Sequence, residues 1–286
     1  MKILLIGASG QLGSDLQRNN RVHEIVAPDR SSVDLANPGT AAKAIGEMHP
    51  DLVVNCAAFH HLTRCEEDPA QAFLINATAV RELALACAEQ DARFVTFSTD
   101  YVFGGAERAP YREDATPAPL QIYGISRLAG ERAALAYGPQ HTVVIRTCGL
   151  YGRAGSKSRG GNFVDARAAE ARAGKRIEMA CEQVVGAPTS TDDLSRAVLA
   201  LIESTGLQPG IYHLVNEGVC TWFEFTQEIA RLSGGGAEVV PVDRGGRFAG
   251  VSRPHYSALA NTNARALGVT LRPWREALAD YLLTKR

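Results

Sequence analysis

The stretch KILLIGASGQLG, residues 2–13, restricts the folds open to this chain more than any other. Its first five residues, apolar after a single lysine, read as a strand that stops at Gly7. Gly10 and Gly13 follow where an amphipathic segment running to residue 18 begins. A strand that turns this sharply into a helix needs glycine where a side chain would clash. The helix start then presents unpaired N–H groups and the positive end of a dipole. Glycines in such a turn can serve packing alone, but their place directly behind a hydrophobic strand points to a pyrophosphate-binding turn for a dinucleotide.

The first half repeats the same alternation. KILLIG, EIVAPD, LVVNCAA and RFVTFSTD read as strands, with helical segments over 10–18, 40–48 and 70–90 between them. TVVIRTCGLYG reads as a further strand after a helix that starts near Tyr123. Strands alternating with longer amphipathic helices predict an α/β fold, a Rossmann-type doubly wound parallel sheet covered on both faces. Beyond Tyr151 the rhythm loosens at the Gly-rich breaks SKSRGGN, SGGG and DRGGRFAG, which read as loops. QPGIYHLVN is expected to be a strand, TWFEFTQEIARLSG a helix with a Thr N-cap and a Gly stop, and ALGVTLRPWREALADYLLTKR a strand entry and a last helix. The expected organisation is a dinucleotide-binding lobe over 1–150 and a smaller α/β substrate lobe over 151–286, interleaved with the first.

Composition narrows the partners. With 286 residues, 45% of them hydrophobic, the chain can bury a large core. Thirty basic against 31 acidic residues leave a formal charge of −1, so no general field attracts nucleic acid or an anionic membrane. Any anionic ligand must be bound locally. No apolar run approaches the roughly 20 residues that span a bilayer, and the opening MKILLIGASG is too short and Gly-rich for a signal peptide, so the expected location is the cytoplasm. Cys56, Cys65, Cys87, Cys148, Cys181 and Cys220 lack CxxC spacing and read as reduced, mostly buried thiols. His60 and His61 are adjacent and cannot face one ion from a strand; no metal is expected, and His60 reads as lining the ligand cleft.

In a doubly wound sheet, ligands bind beyond the carboxyl ends of the strands. The second strand ends at Asp29 and Arg30: an acid there favours a free ribose 2′-hydroxyl, an arginine a 2′-phosphate, so NADP(H) and NAD(H) both stay open. The fourth ends in Ser98, Thr99 and Asp100, which point small polar groups at the place of a nicotinamide. Tyr123 and Arg127, four apart, share a helix face. A hydroxyl from the strand end and a phenol beside a cation can polarise a carbonyl and protonate its oxygen while hydride attacks the carbon. Arg253 and His255 in SRPHYSAL offer forked binding to a nucleotide diphosphate, and Asn162 and Phe163 follow a Gly-rich loop beside the same ligand.

GxxGxxG, NCAA, STDYVF, YGISRLAGE, IRT, GNFV, GAPT and SRPHYSAL, in this order, resemble the extended short-chain dehydrogenase/reductases, and within them the dTDP-4-dehydrorhamnose reductase family, over nearly the whole chain. The resemblance implies reduction of a nucleotide-linked 4-keto-6-deoxyhexose by NADPH or NADH, with a nucleotide-sugar substrate, no nucleic acid and no membrane; a homodimer is compatible with it. It implies Gly10, Gln11 and Leu12 at the cofactor phosphates, Asp29 and Arg30 near the adenosine ribose, and Asp34 and Leu35 by the adenine. Ala58, Phe59 and His60 would lie near the cofactor's middle, Thr99 and Asp100 at the sugar, and Tyr123 would be the proton donor. Two positions depart from the family. Arg127 stands where it carries a lysine that holds the nicotinamide ribose and lowers the tyrosine pKa; arginine keeps the charge but not the shape. Gly149 stands where a bulky tryptophan packs against the sugar. Two rivals follow: a reductase or epimerase on another nucleotide sugar, and a cofactor-binding regulatory subunit without turnover, as in a relative that partners methionine adenosyltransferase.

Overall fold

Apolar runs of the first half become the parallel strands β1 (Lys2–Ile6), β2 (Glu24–Val26), β3 (Leu52–Asn55), β4 (Arg93–Thr99) and β5 (Thr142–Thr147) in the computed structural model, which describes residues 1–156 and 160–285. Lys157, Ser158 and Arg159 of the SKSRGGN break, and Arg286, lie outside the described residues. The second half supplies β6 (Ile177–Ala180), β7 (Gly210–His213), β8 (Val239–Val242), β9 (Arg247–Phe248) and β10 (Val251–Ser252). The main sheet has the order β2-β1-β3-β4-β5-β7 and is parallel throughout. β1 has β2 on one side and β3 on the other, so the chain reverses its winding there. The crevice at such a switch is where a doubly wound sheet takes its ligand.

The helices are α1 (Gln11–Asn19), α2 (Pro38–Met48), α3 (Leu62–Glu67), α4 (Pro69–Phe73), α5 (Ala79–Glu89), α6 (Ile122–Tyr137), α7 (Phe163–Arg172), α8 (Thr191–Glu203), α9 (Trp222–Ser233), α10 (Thr262–Ala266) and α11 (Trp274–Leu283). Side chains alternate across each strand. Ile3, Leu5, Val54 and Phe97 therefore meet Leu12 and Leu16 of α1 and Leu194 and Val198 of α8 on one face. Leu4, Ile6, Val53 and Phe94 meet Ile45 of α2 and Leu83 of α5 on the other. Because α8 and β7 belong to this sheet, the chain leaves the first lobe after β5 and returns to it.

The smaller lobe pairs β6 with β8 and β9 with β10 and packs α7, α9 and α11 around Tyr151, Phe225, Trp274 and Tyr281. α9 opens with the capping box Thr221–Glu224 and stops at Gly234. Two expectations change. The helix expected over 70–90 is α4 and α5 joined by a π-helical turn, Leu74–Thr78, at Asn76. The strand entry expected before the last helix does not form: Gly268 is left-handed at φ +76°, Pro273 lacks an N–H, and only an isolated bridge joins Pro273 to Glu217.

Candidate active site

The glycine turn is built for close approach. Gly7 sits at φ +78°, and a Cβ there would stand 2.8 Å from the Ala57 nitrogen behind β3. A Cβ on Gly13 would stand 2.4 Å from the Gly7 carbonyl oxygen. Gly10, at φ −79°, is the N-cap of α1; no side chain caps this terminus and no acid lies in its first turn. Uncapped N–H groups and a dipole end without a counter-charge fit a pyrophosphate. Gln11 and Leu12 would serve it through their backbone. The Gln11 amide donates to the Leu150 carbonyl at 3.4 Å and accepts from the Gly152 N–H at 3.0 Å, and Leu12 is buried in the core.

At the ribose edge, Asp29 accepts from the Ser31 hydroxyl at 2.6 Å and from the Ser32 N–H and hydroxyl at 3.0 Å. The hydroxyl bonds from Ser31 and Ser32 hold its carboxyl below the usual range. Arg30 is exposed, its Nε 3.4 Å from Asp34 Oδ1. Asp34 also accepts from the Ala36 N–H at 3.0 Å, and Leu35 is buried. The acid is thus tied to its own loop and the guanidinium faces solvent.

At the end of β4, Thr99 accepts from the Tyr101 N–H at 3.1 Å and donates to Asp100 Oδ1 at 3.0 Å. The other Asp100 oxygen accepts from Ser257 Oγ at 2.6 Å. Burial pushes this carboxyl up to about 6 although both hydroxyl bonds pull the other way. Both oxygens of Asp100 are thus engaged within the protein, and the residue joins the strand end to the SRPHYSAL segment. Ser98 Oγ is buried without a partner among the described residues.

Tyr123 is half-buried in the first turn of α6, with the Tyr101 ring edge-on at 6.3 Å. One turn on, Arg127 is 4% exposed, and its Nε and Nη1 are buried without a hydrogen-bond partner among the described residues. The neighbouring Cys65 thiol is pushed up to about 11 by burial and by Glu66, with the Arg127 charge pulling back. A buried guanidinium with two open donors fits the hydroxyls and carbonyl of a bound cofactor.

Two features that hold this helix escaped sequence reading. Asn76 in the π-turn accepts from the Phe59 N–H at 2.9 Å, donates to the Phe59 carbonyl at 2.9 Å and donates to Ser126 Oγ at 3.0 Å. Ser126 in turn donates to the Tyr123 carbonyl at 2.9 Å. α6 passes so close that a Cβ on Gly130 would stand 2.0 Å from the Asn76 carbonyl oxygen. Arg146 of β5, 1% exposed, grips Glu131 of α6 through two bonds of 2.9 and 2.7 Å. The available signals were an asparagine inside an apolar helix and an arginine inside a strand.

The remaining candidates divide. Arg253 donates from Nη1 to Tyr101 OH at 2.8 Å, which brings the C-terminal segment to the strand end. His255 is exposed beside it. His60 Nε2 lies 3.3 Å from Ser156 Oγ, while His61 caps α3, so the two histidines diverge. Ala58 and Phe59 follow Cys56 and Ala57, which meet Gly7, and the Phe59 backbone is held by Asn76. Asn162 caps α7 and donates to Tyr281 OH at 2.7 Å, and Phe163 packs on Trp222 and Phe225. Both side chains help frame the smaller lobe. Gly149 is left-handed at φ +51°, and a Cβ would stand 3.0 Å from Pro188 Cα, so a bulky residue does not fit there without moving Pro188.

A doubly wound sheet with an uncapped helix start at its switch point, and a tyrosine–cation helix beside the next strand end, defines the extended short-chain dehydrogenase/reductase class. The chain belongs to the RmlD substrate binding domain family, which it matches over residues 1–286. It is 36% identical over 286 residues to the dTDP-4-dehydrorhamnose reductase of Mycolicibacterium smegmatis, covering 98% of this chain and 84% of that protein. It is 34% identical over 285 residues to the dTDP-4-keto-6-deoxy-D-glucose reductase of Streptomyces niveus, covering 97% and 95%. The crystal structure of the Bacillus anthracis dTDP-4-dehydrorhamnose reductase in complex with NADP is similar at a TM-score of 0.91, with 31% identity over 99% of each chain. Among the described residues, no helix is long and apolar enough to cross a membrane.

Proposed function

We propose that this chain is an NADPH- or NADH-dependent reductase of the 4-keto group of a nucleotide-linked 6-deoxyhexose, with dTDP-4-dehydro-L-rhamnose giving dTDP-L-rhamnose as the leading substrate pair. The carrying observation is Tyr123 one helical turn from the buried, partly unpartnered Arg127, on a helix clamped at Asn76 and Arg146. The bound nicotinamide supplies the hydride. The Tyr123 phenol gives the proton to the sugar oxygen, and the Arg127 charge stabilises the phenolate left behind. The uncapped α1 terminus holds the pyrophosphate, and Asp29 and Arg30 flank the adenosine ribose. Arg253 lies on the substrate's diphosphate. The six thiols, free of disulfides, suit a cytoplasmic protein.

Gly149 favours one second reading, a reductase of a related nucleotide 4-keto-6-deoxyhexose, because no bulky side chain presses on the sugar from that side. The test is single-turnover oxidation of NADPH and NADH by the purified protein with several dTDP-linked 4-keto sugars. Tyr123→Phe is expected to abolish turnover and keep cofactor binding. A wild type that binds NADPH but turns over none of these sugars would leave the protein a regulatory subunit.

A further inference from the structure

The hairpin of β9 and β10 carries a feature that the reduction chemistry leaves unused. Phe248 at its tip is 52% exposed, although a phenylalanine gains most by burial. Around it stand three guanidinium groups from one short segment. Arg244 lies 5.4 Å and Arg253 5.8 Å from the ring centroid, and Arg247 is held across the tip by donating to the Gly250 carbonyl at 2.8 Å. The hairpin is anchored from below. Glu182 accepts from the Arg244 N–H at 3.2 Å and the Gly246 N–H at 3.3 Å, and the Arg253 N–H donates to the Gly246 carbonyl at 2.6 Å. Asp243 accepts from its own loop, at the Gly245 N–H.

From this ring a continuous line of contacts runs to the reacting phenol. Arg253 reaches back from Phe248 to Tyr101, 5.7 Å from its centroid, and the Tyr101 ring meets Tyr123 at 6.3 Å. Arg253 Nε is buried and has no hydrogen-bond partner among the described residues. The line therefore offers, in order, an open aromatic face, a guanidinium with a free donor, and the Tyr123 phenol. A nucleotide sugar has the matching order: a flat base, a doubly charged diphosphate and the hexose that reacts. Every base has a π-face, and stacking on an aromatic side chain gains from flanking cations.

We propose that Phe248 is the stacking platform for the nucleobase of the nucleotide sugar, with Arg253 at the diphosphate between it and Tyr123; this rests on the reading of the chain as a nucleotide-sugar reductase. The test is calorimetric titration of dTDP, and separately of inorganic pyrophosphate, into NADPH-loaded wild type, Phe248→Ala and Phe248→Tyr. Loss of the ring should weaken dTDP roughly tenfold, while tyrosine stays within about twofold of wild type. Pyrophosphate, which has no base, should bind all three alike. Because Phe248 is exposed, the variants should melt with wild type. A wild type that binds dTDP and reduces a dTDP-linked keto sugar, beside a Phe248→Ala that binds dTDP equally well, overturns the platform alone. Equal weakening of dTDP and pyrophosphate also overturns it, since that would be a displaced Arg253. A wild type that neither binds dTDP nor reduces any such sugar overturns the functional reading and the platform together.

Discussion

Arg127→Met separates what the buried cation does for the fold from what it does for a ligand. In the free protein the guanidinium is 4% exposed with two donors open, and no salt bridge to it is present among the described residues. A buried donor without an acceptor costs about 1–3 kcal/mol, and more when it is charged. Methionine fills a similar volume without donors or charge, so the unliganded variant should be more stable than wild type by about 2 kcal/mol. With cofactor bound the balance inverts, because charge-assisted bonds are each worth about 1.5–3 kcal/mol and the variant cannot make them. Its NADPH dissociation constant should rise roughly tenfold to a hundredfold.

Urea unfolding followed by the fluorescence of Trp222 and Trp274, without and with saturating NADPH, reads both effects in one experiment. Wild type should gain much more from NADPH than the variant does, and Arg127→Lys, which keeps the charge, should retain binding and raise the turnover rate. An unliganded Arg127→Met less stable than wild type, or one that gains as much from NADPH, would show that the arginine serves packing and refute the reasoning.

Two further outcomes concern the groups that hold the site. Because burial raises Asp100 to about 6, the folded protein keeps a proton that the unfolded chain has released, so stability should fall as pH rises from about 4 to 6. By pH 7 the charged Asp100 costs on the order of 3 kcal/mol. Asp100→Asn should flatten that slope and raise the melting temperature at pH 7.5; parallel melting curves across pH 4.5–8 for the two proteins would contradict it. Glu131→Ala leaves Arg146 buried and unpaired, and should cost about 3–5 kcal/mol in urea unfolding. The double variant with Arg146→Met should recover most of that loss, and an additive double variant would count against the pair.

How far the sequence reached depended on the range of the interactions involved. The strands of the first half, the glycine turn and the Tyr123–Arg127 spacing are local patterns, and the period of apolar residues states them directly. Asn76 was hidden because a π-turn is set by a distant demand, the backbone of Phe59, that no helical periodicity records. The bond between Asp100 and Ser257 was hidden for the same reason: the two residues stand 157 positions apart, and no local pattern joins them. The Gln11 side chain is tied to Leu150 and Gly152 and that of Leu12 is buried in the core, a distinction the residue letters do not carry. β7 was legible as a strand, yet only its pairing with β5 shows that it belongs to the first lobe.

That long-range pairing also bears on how the chain does its chemistry. Transfer between a nicotinamide carbon and a sugar carbon tolerates errors of only about 0.5 Å in the supporting groups. Two lobes joined by one hinge would not hold such tolerance, and here the join is a seam. The Tyr111 N–H donates to the Ala258 carbonyl and the Ala260 N–H to the Tyr111 carbonyl, both at 2.8 Å. Ser257 holds Asp100, Arg253 holds Tyr101, and a Cβ on Gly105 would stand 2.8 Å from the His255 nitrogen. On its other side the same segment pairs with the smaller lobe, where the Val184 N–H donates to the His255 carbonyl at 2.8 Å and the Ser257 N–H to the Val184 carbonyl at 2.9 Å. Residues 253–260 thus carry the candidate diphosphate ligand Arg253 and the clamp on the end of β4 in one short run. A substrate held by that run is placed relative to Thr99 and Tyr123 by the backbone itself. Changes in substrate specificity are therefore expected at the hairpin tip, where Phe248 is exposed, rather than along the seam.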